Sequence, residues 1–146
     1  MDKKITIHTD ASNIKNSNIC KTSSVIMMEG NTTTHEDFCS GTIAYAELIA
    51  VIKALELVEK ERKPENFYIE IFTDHLPNAK LFNAILVEKT EDMSRINMIL
   101  KRKGLTRRDI CVIPRLQNNN DINVIWFPRK ENKEADKLSK WHEKKC

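Results

Sequence analysis

Four acidic residues are of a type that could do chemistry together: Asp10 at the end of ITIHTD, Glu47 inside AYAELIAVI, Asp74 at the end of IEIFTD, and Asp136 within ENKEADKLSK. Each has an ordinary explanation. Asp often follows a strand, accepting local backbone hydrogen bonds; acids are favoured near helix N-termini by the macrodipole; and 21 Asp and Glu residues leave many to choose from. The surroundings of Glu47 and Asp74 resist that account, because a carboxylate drawn toward an apolar interior is costly unless it is paired or metal-bound. If the strands ending on Asp10 and Asp74 are neighbours in one sheet, their carboxylates stand side by side, and like charges that close need a cation between them. Hard carboxylate oxygens suit Mg²⁺ or Mn²⁺, ions that keep several waters and also bind phosphate oxygens.

The elements that would position these acids can be read from the hydrophobic pattern. Ile5 and Ile7 alternate with Thr6, His8 and Asp10, as in a strand buried on at least one face. After a polar loop, ASNIKNSN, the segments KTSSVIMM and TTTHEDFCSG read as two more strands separated by the turn signal EGN, giving an antiparallel meander. From about Ala44 to Lys60 the period becomes helical: Leu48, Val51, Ile52, Leu55 and Val58 form a stripe, Pro64 ends the helix, and Glu47 falls in its first turn. Residues 67 to 74 form a strand apolar on nearly both faces, hence central. Helices follow from near Pro77 to about Glu88 and from about Met93 to Lys103, where Gly104 stops the second. Residues 105 to 121 stay open, since DICVI suits either a short strand or a helix start, and QNNND a turn or loop. INVIWF reads as a buried strand stopped by Pro128, and residues 131 to 143 as a closing helix with Asp136 early in it. The order βββ, α, β, α(α), β, α predicts an α/β fold, a mixed sheet with helices on its faces.

Whole-chain properties limit the function classes. The 146 residues, 40% hydrophobic and 31% charged, make one globular domain spanning residues 1–146. The best apolar run, LIAVI, is followed at once by Lys53, and MDKKITIHTD has no signal-peptide apolar region, so a cytoplasmic protein without a membrane span is expected. Met1 favours a free-standing chain. Cys20, Cys39, Cys111 and Cys146 are scattered, which indicates reduced thiols rather than a zinc site or disulfide framework. A net charge of +3 is below that of a dedicated basic nucleic-acid binder. Within KRKGLTRRD, however, Lys101, Arg102, Lys103, Arg107 and Arg108 surround one glycine. That segment is either a solvated helix end and loop or a ridge that binds a polyanion through counterion release. His75 reads as a loop residue, Trp126 and Trp141 as core, and His142 with Cys146 as half a zinc site lacking its other half.

Taken in order, TDAS, AELIAVIKALELV, IFTDH and VIWFPRKENKEADKLSK resemble the four signature segments of the type 1 ribonuclease H family. The resemblance covers most of the chain and is weakest at residues 13 to 40 and 90 to 121. It implies a five-stranded mixed sheet, with strands 1 to 3 antiparallel and strands 4 and 5 parallel to strand 1, and helices on both faces. It also implies that Asp10, Glu47, Asp74 and Asp136 converge on two Mg²⁺ or Mn²⁺ ions, with Asp10 bridging them. Such ions, roughly 3.5–4 Å apart, activate water and stabilise the leaving 3′ oxygen. The activity implied is endonucleolytic hydrolysis of the RNA strand of RNA–DNA hybrids, giving 5′-phosphate and 3′-hydroxyl ends, with hybrids sensed through 2′-hydroxyls. Ser12 and Asn13 after the first Asp, and Lys101, Arg102, Arg107, Arg108 and Arg129, would contact the nucleic acid, and the protein would act as a monomer.

Three departures accompany the resemblance. The loop ASNIKNSN has no glycine where many members are Gly-rich; Ala44 and Tyr45 stand where an Asn often precedes the helix Glu; and Arg129 occupies the place of a mobile His, as in a divergent branch. An Arg cannot serve as a general base near neutral pH, so Arg129 would bind phosphate or product and the enzyme would be slower. The rival readings are a weakly active or inactive module of the same fold that binds nucleic acid or protein, and another nuclease or transposase-like member of the wider superfamily.

Overall fold

The computed structural model describes residues 3–88 and 93–127. Strand β1 (Lys3–Asn13) pairs antiparallel with β2 (Ile19–Met28), which pairs antiparallel with β3 (Asn31–Ser40). The chain then forms helix α1 (Ile43–Arg62) and strand β4 (Phe67–Thr73), which lies parallel to β1. Helices α2 (Leu76–Leu86), α3 (Met93–Arg102) and α4 (Val112–Gln117) precede β5 (Asp121–Trp126), parallel to β4. The strand order is β3-β2-β1-β4-β5, the mixed sheet that the element order and the resemblance imply. The helix expected over residues 131 to 143, with Asp136, Trp141 and His142, lies outside the described residues, as do Arg129 and Cys146.

Local chemistry sets the joints. Glu29 and Gly30, both at positive φ (49° and 82°), link β2 to β3, the backbone signature of a two-residue hairpin whose twist matches its strands. Thr42 caps α1, its side chain accepting from the Tyr45 N–H at 3.2 Å. All five predicted stripe residues of α1 are buried, together with Ile5, Ile7, Ile69 and Ile71 of the sheet beneath. Each side chain so buried contributes about 1.5–3 kcal/mol, which fixes how α1 lies on β1 and β2. Helix α2 lies against β4 and β5 and touches α1. Its Asn83 amide clasps Val124 from the side, donating to the carbonyl at 2.6 Å and accepting from the N–H at 3.1 Å, so the edge of β5 is covered.

The open region after Lys103 resolves on the helical side, with Val112 and Ile113 of DICVI opening α4. Trp126 departs from expectation. It is 48% exposed rather than a core residue, because it ends the edge strand and its indole N–H is drawn to the Asp74 carbonyl at 3.2 Å. Cys20 is buried and Cys39 and Cys111 partly so, all three free thiols. Among the described residues, no helix is long and apolar enough to cross a membrane.

Asn120 ties β4, α4 and the loop between α1 and β4 together: its Oδ1 accepts from the Phe67 N–H at 2.9 Å, and its Nδ2 donates to the Pro64 and Leu116 carbonyls, each at 2.9 Å. Replacing Asn120 with Ala leaves those buried groups without partners, so urea unfolding should show a loss of about 2–3 kcal/mol.

Candidate metal centre

Register brings the acids together. The parallel ladder between β1 and β4 runs from Lys3↔Phe67 to His8↔Phe72 and stops there. Two residues further along each chain come Asp10 and Asp74: Asp74 just follows β4, whereas Asp10, expected to end its strand, lies inside β1, which continues to Asn13 because β2 still pairs with it there, so both acids stand where the parallel ladder stops. That crevice is where open α/β sheets place their ligands. Glu47 is supplied from above by α1, whose apolar stripe holds it over β1. It lies just past the first turn of α1, in which it was expected: the helix starts at Ile43, one residue earlier than expected, its first turn has no acid, and Glu47 is 3% exposed. The macrodipole therefore does not explain it.

Asp10, Glu47 and Asp74 each place a carboxylate oxygen within 4.8 Å of the others, with Asp10 and Glu47 buried and Asp74 partly so. Asp10 is 0% exposed, and its Oδ1 accepts from the Ala11 N–H at 2.9 Å, a contact that aims the carboxylate. Three acids this close inside a protein repel one another strongly unless a cation joins them. The donor set is oxygen alone, which fits a hard divalent ion such as Mg²⁺ or Mn²⁺ and not a thiophilic metal.

His75 and Asn13, near the acids, make hydrogen bonds within their own segments. His75, beside Asp74, caps α2, its Nδ1 accepting from the Asn78 N–H at 3.3 Å. Ser12 is 6% exposed, and the Asn13 amide donates to Ser17 O at 3.4 Å and to Cys20 Sγ at 3.6 Å. The expected loop after Asp10 is strand as far as Asn13, and the Asn13 amide is folded back on its own hairpin. The expected cationic ridge divides in two. Lys101 and Arg102 end α3 and are exposed, as is Arg108. Arg107 instead grips both oxygens of Glu88, Nη1 to Oε2 at 2.6 Å, and its Nε donates to Asn97. The sequence reading missed Lys21, which is 1% exposed on β2. Its signal was only positional, a lysine at the start of a strand two residues from Ser23 and facing inward.

Arg107 holds the Glu88 carboxyl below its ordinary range, first through their hydrogen bonds. A depressed carboxyl pKa contributes stability above the ordinary value of 4.5 that is lost as pH falls through the native value. Arg107→Gln should therefore cost about 1 kcal/mol at pH 7, the scale of a partly exposed bidentate pair. Urea unfolding should show the gap between the two proteins closing toward pH 3.

No family model and no curated protein matches the chain. Solved structures do. LC11-RNase H1, isolated from compost and solved in complex with an RNA/DNA hybrid, is 23% identical over 92% of this chain and 92% of its own, with a TM-score of 0.58. RNase H1 from the halophilic archaeon Halobacterium salinarum NRC-1 is 18% identical over 98% and 99% of the two chains, with a TM-score of 0.63. The N-terminal RNase H domain of a Mycobacterium tuberculosis protein is 16% identical over 99% and 96%, with a TM-score of 0.67. With the five-stranded order, the parallel placement of β4 and β5 and the acids where the β1–β4 ladder stops, these matches over nearly the whole length establish that the chain has the ribonuclease H fold.

Proposed function

We propose that the protein is a metal-dependent endoribonuclease that hydrolyses the RNA strand of RNA–DNA hybrids, leaving 5′-phosphate and 3′-hydroxyl ends. The observation that carries this reading is the convergence of Asp10, Glu47 and Asp74 within 4.8 Å at the carboxyl ends of the parallel strands. Asp136 is proposed as the fourth acid, and Arg129 as a cation for phosphate or product rather than a base. When bound, Mg²⁺ or Mn²⁺, as a pair of ions, would supply Lewis acidity for the attacking water and for the leaving 3′ oxygen.

The chain's own residues supply position. Strand β1, paired with β2 at Asp10↔Ser23 just past its last pair with β4, fixes Asp10, and the Ala11 N–H donates to its carboxylate and orients it. Helix α1 sets Glu47 at a fixed height over the strands, and the Thr42 cap secures the end of α1 nearest the site. Exposed Lys101, Arg102 and Arg108 offer charge to the backbone of the hybrid, while Arg107 serves chiefly to pin its loop to Glu88. The LC11 complex with a hybrid supports the choice of polymer, and 2′-hydroxyls in a wide minor groove are how such a duplex is told from DNA. We further propose a monomer acting in the cytoplasm.

A non-catalytic hybrid-binding module is the second reading, favoured by Asn13, whose amide is turned inward rather than toward substrate. Incubation of an end-labelled hybrid with Mg²⁺ or Mn²⁺ separates the two. Cleavage should be confined to the RNA strand and absent with duplex DNA, duplex RNA and single strands. Asp10→Asn should reduce it beyond the roughly 10–100-fold typical of losing an outer-sphere partner. Binding of the hybrid without cutting by either protein would favour the module; cutting of another polymer would move the chain to a different branch of nuclease chemistry. Replacing Arg108 with Gln should flatten the salt dependence of hybrid binding by about one unit of slope, whereas Arg107→Gln should leave that slope nearly unchanged.

A further inference from the structure

Among the described residues, the charged side chains that the fold buries are Asp10, Glu47 and Lys21. Two belong to the acid cluster; the third is a cation, 1% exposed. Lys21 sits opposite Ser12 of β1 and Phe38 of β3. The row two residues along the strands contains Asp10, Ser23 and Glu36, one residue from each strand. Residues two apart share a face of a sheet, so Lys21 is on the face that carries Asp10 and Glu36. Its Nζ meets Glu36 Oε2 at 2.7 Å, a diagonal contact across the β2–β3 pair.

Strand order gives this ion pair a direction. Lys21 is rooted on β2, next to β1, and Glu36 on the edge strand β3, where its side chain is 35% exposed. The cationic end thus lies nearer the acids and the anionic end nearer solvent. With strands about 4.8 Å apart and two residues spanning about 7 Å, the backbones of Lys21 and Asp10 are roughly 8–9 Å apart, and buried charges are screened weakly. Stability alone gives no reason for an ion pair here, since a well-packed apolar side chain in a buried position is often as stabilising.

We infer that Lys21, oriented by Glu36, is a positioning residue that sets the divalent-metal affinity of the Asp10–Glu47–Asp74 cluster, its charge standing in part for the cation the acids require. This inference rests on the metal-centre reading above. It makes opposite demands on the two members of the pair. Removing the lysine's charge leaves the cluster more negative and tightens metal binding; removing the glutamate's charge makes the surroundings less negative and loosens it.

The test is Mn²⁺ titration, by calorimetry and by electron paramagnetic resonance of the free ion, on full-length protein without nucleic acid. Wild type, Asp10→Asn, Lys21→Met, Lys21→Arg and Glu36→Gln are compared, each checked for native near-ultraviolet circular dichroism. Lys21→Met should tighten Kd by about tenfold and Glu36→Gln should weaken it several-fold, the scale of one unit charge at this separation; Lys21→Arg should stay close to wild type. If Lys21→Met does not fold, Glu36→Gln and Lys21→Arg, which change a partly exposed acid and preserve the charge respectively, carry the test. Affinities of the folded variants that agree with wild type within twofold, or Met and Gln variants that shift in the same direction, overturn the inference while leaving the metal centre intact. A wild type that binds no Mn²⁺ dependent on Asp10 overturns both.

Discussion

The parallel pairing of β1 with β4 is the constraint on which the rest of the site depends. Because that ladder ends at His8↔Phe72, the next inward positions on the two strands put carboxylates side by side, and nothing in the backbone can separate them. The pairing is itself held by the buried ladder of Ile5 with Ile69 and Ile7 with Ile71, residues that a one-residue slip would expel from the core. Apolar burial thus forces together two charges that would otherwise stay apart, and the fold must compensate them.

Compensation comes in layers of decreasing permanence. The Ala11 amide gives Asp10 a fixed hydrogen bond, and the Lys21–Glu36 pair places a full but more distant charge on the same face of the sheet. A divalent ion would supply the largest share and is the only one of the three that can leave. Helix α1 adds Glu47 to the cluster, which raises the electrostatic demand without helping the core. A helix optimised for stability alone would carry an apolar residue there. Stability is recovered away from the site, where Asn120 joins β4, α4 and the loop between α1 and β4 and the Arg107–Glu88 pair fastens the loop after α3 to the end of α2.

Much of this was legible in the sequence, for identifiable reasons. Elements with strong periodicity, the alternation of Ile5 and Ile7 and the Leu48-to-Val58 stripe, appear where the pattern places them, since burial dominates their energetics. Asp10, Glu47 and Asp74 were visible as acids in apolar company. What was not legible depends on tertiary partners. Nothing in KRKGLTRRD distinguishes Arg107 from Arg108, yet the first is held by Glu88, 19 residues earlier in the chain. Lys21 reads as an ordinary strand-opening lysine until β3 supplies Glu36. Trp126 reads as core, but β5 is an edge strand, and its last residue faces outward. The depth of Glu47 in α1 turned on where Thr42 caps the helix, a boundary that periodicity does not fix.

The central claim is that these acids converge because a hard divalent cation joins them. Its most direct measurement is anomalous scattering from crystals soaked in Mn²⁺, recorded at the manganese absorption edge. The account predicts a manganese peak at coordinating distance, about 2.2 Å, from carboxylate oxygens of Asp10, Glu47 and Asp74. Well-ordered carboxylates with no anomalous peak among them at millimolar Mn²⁺, or a peak held by other residues, would contradict it.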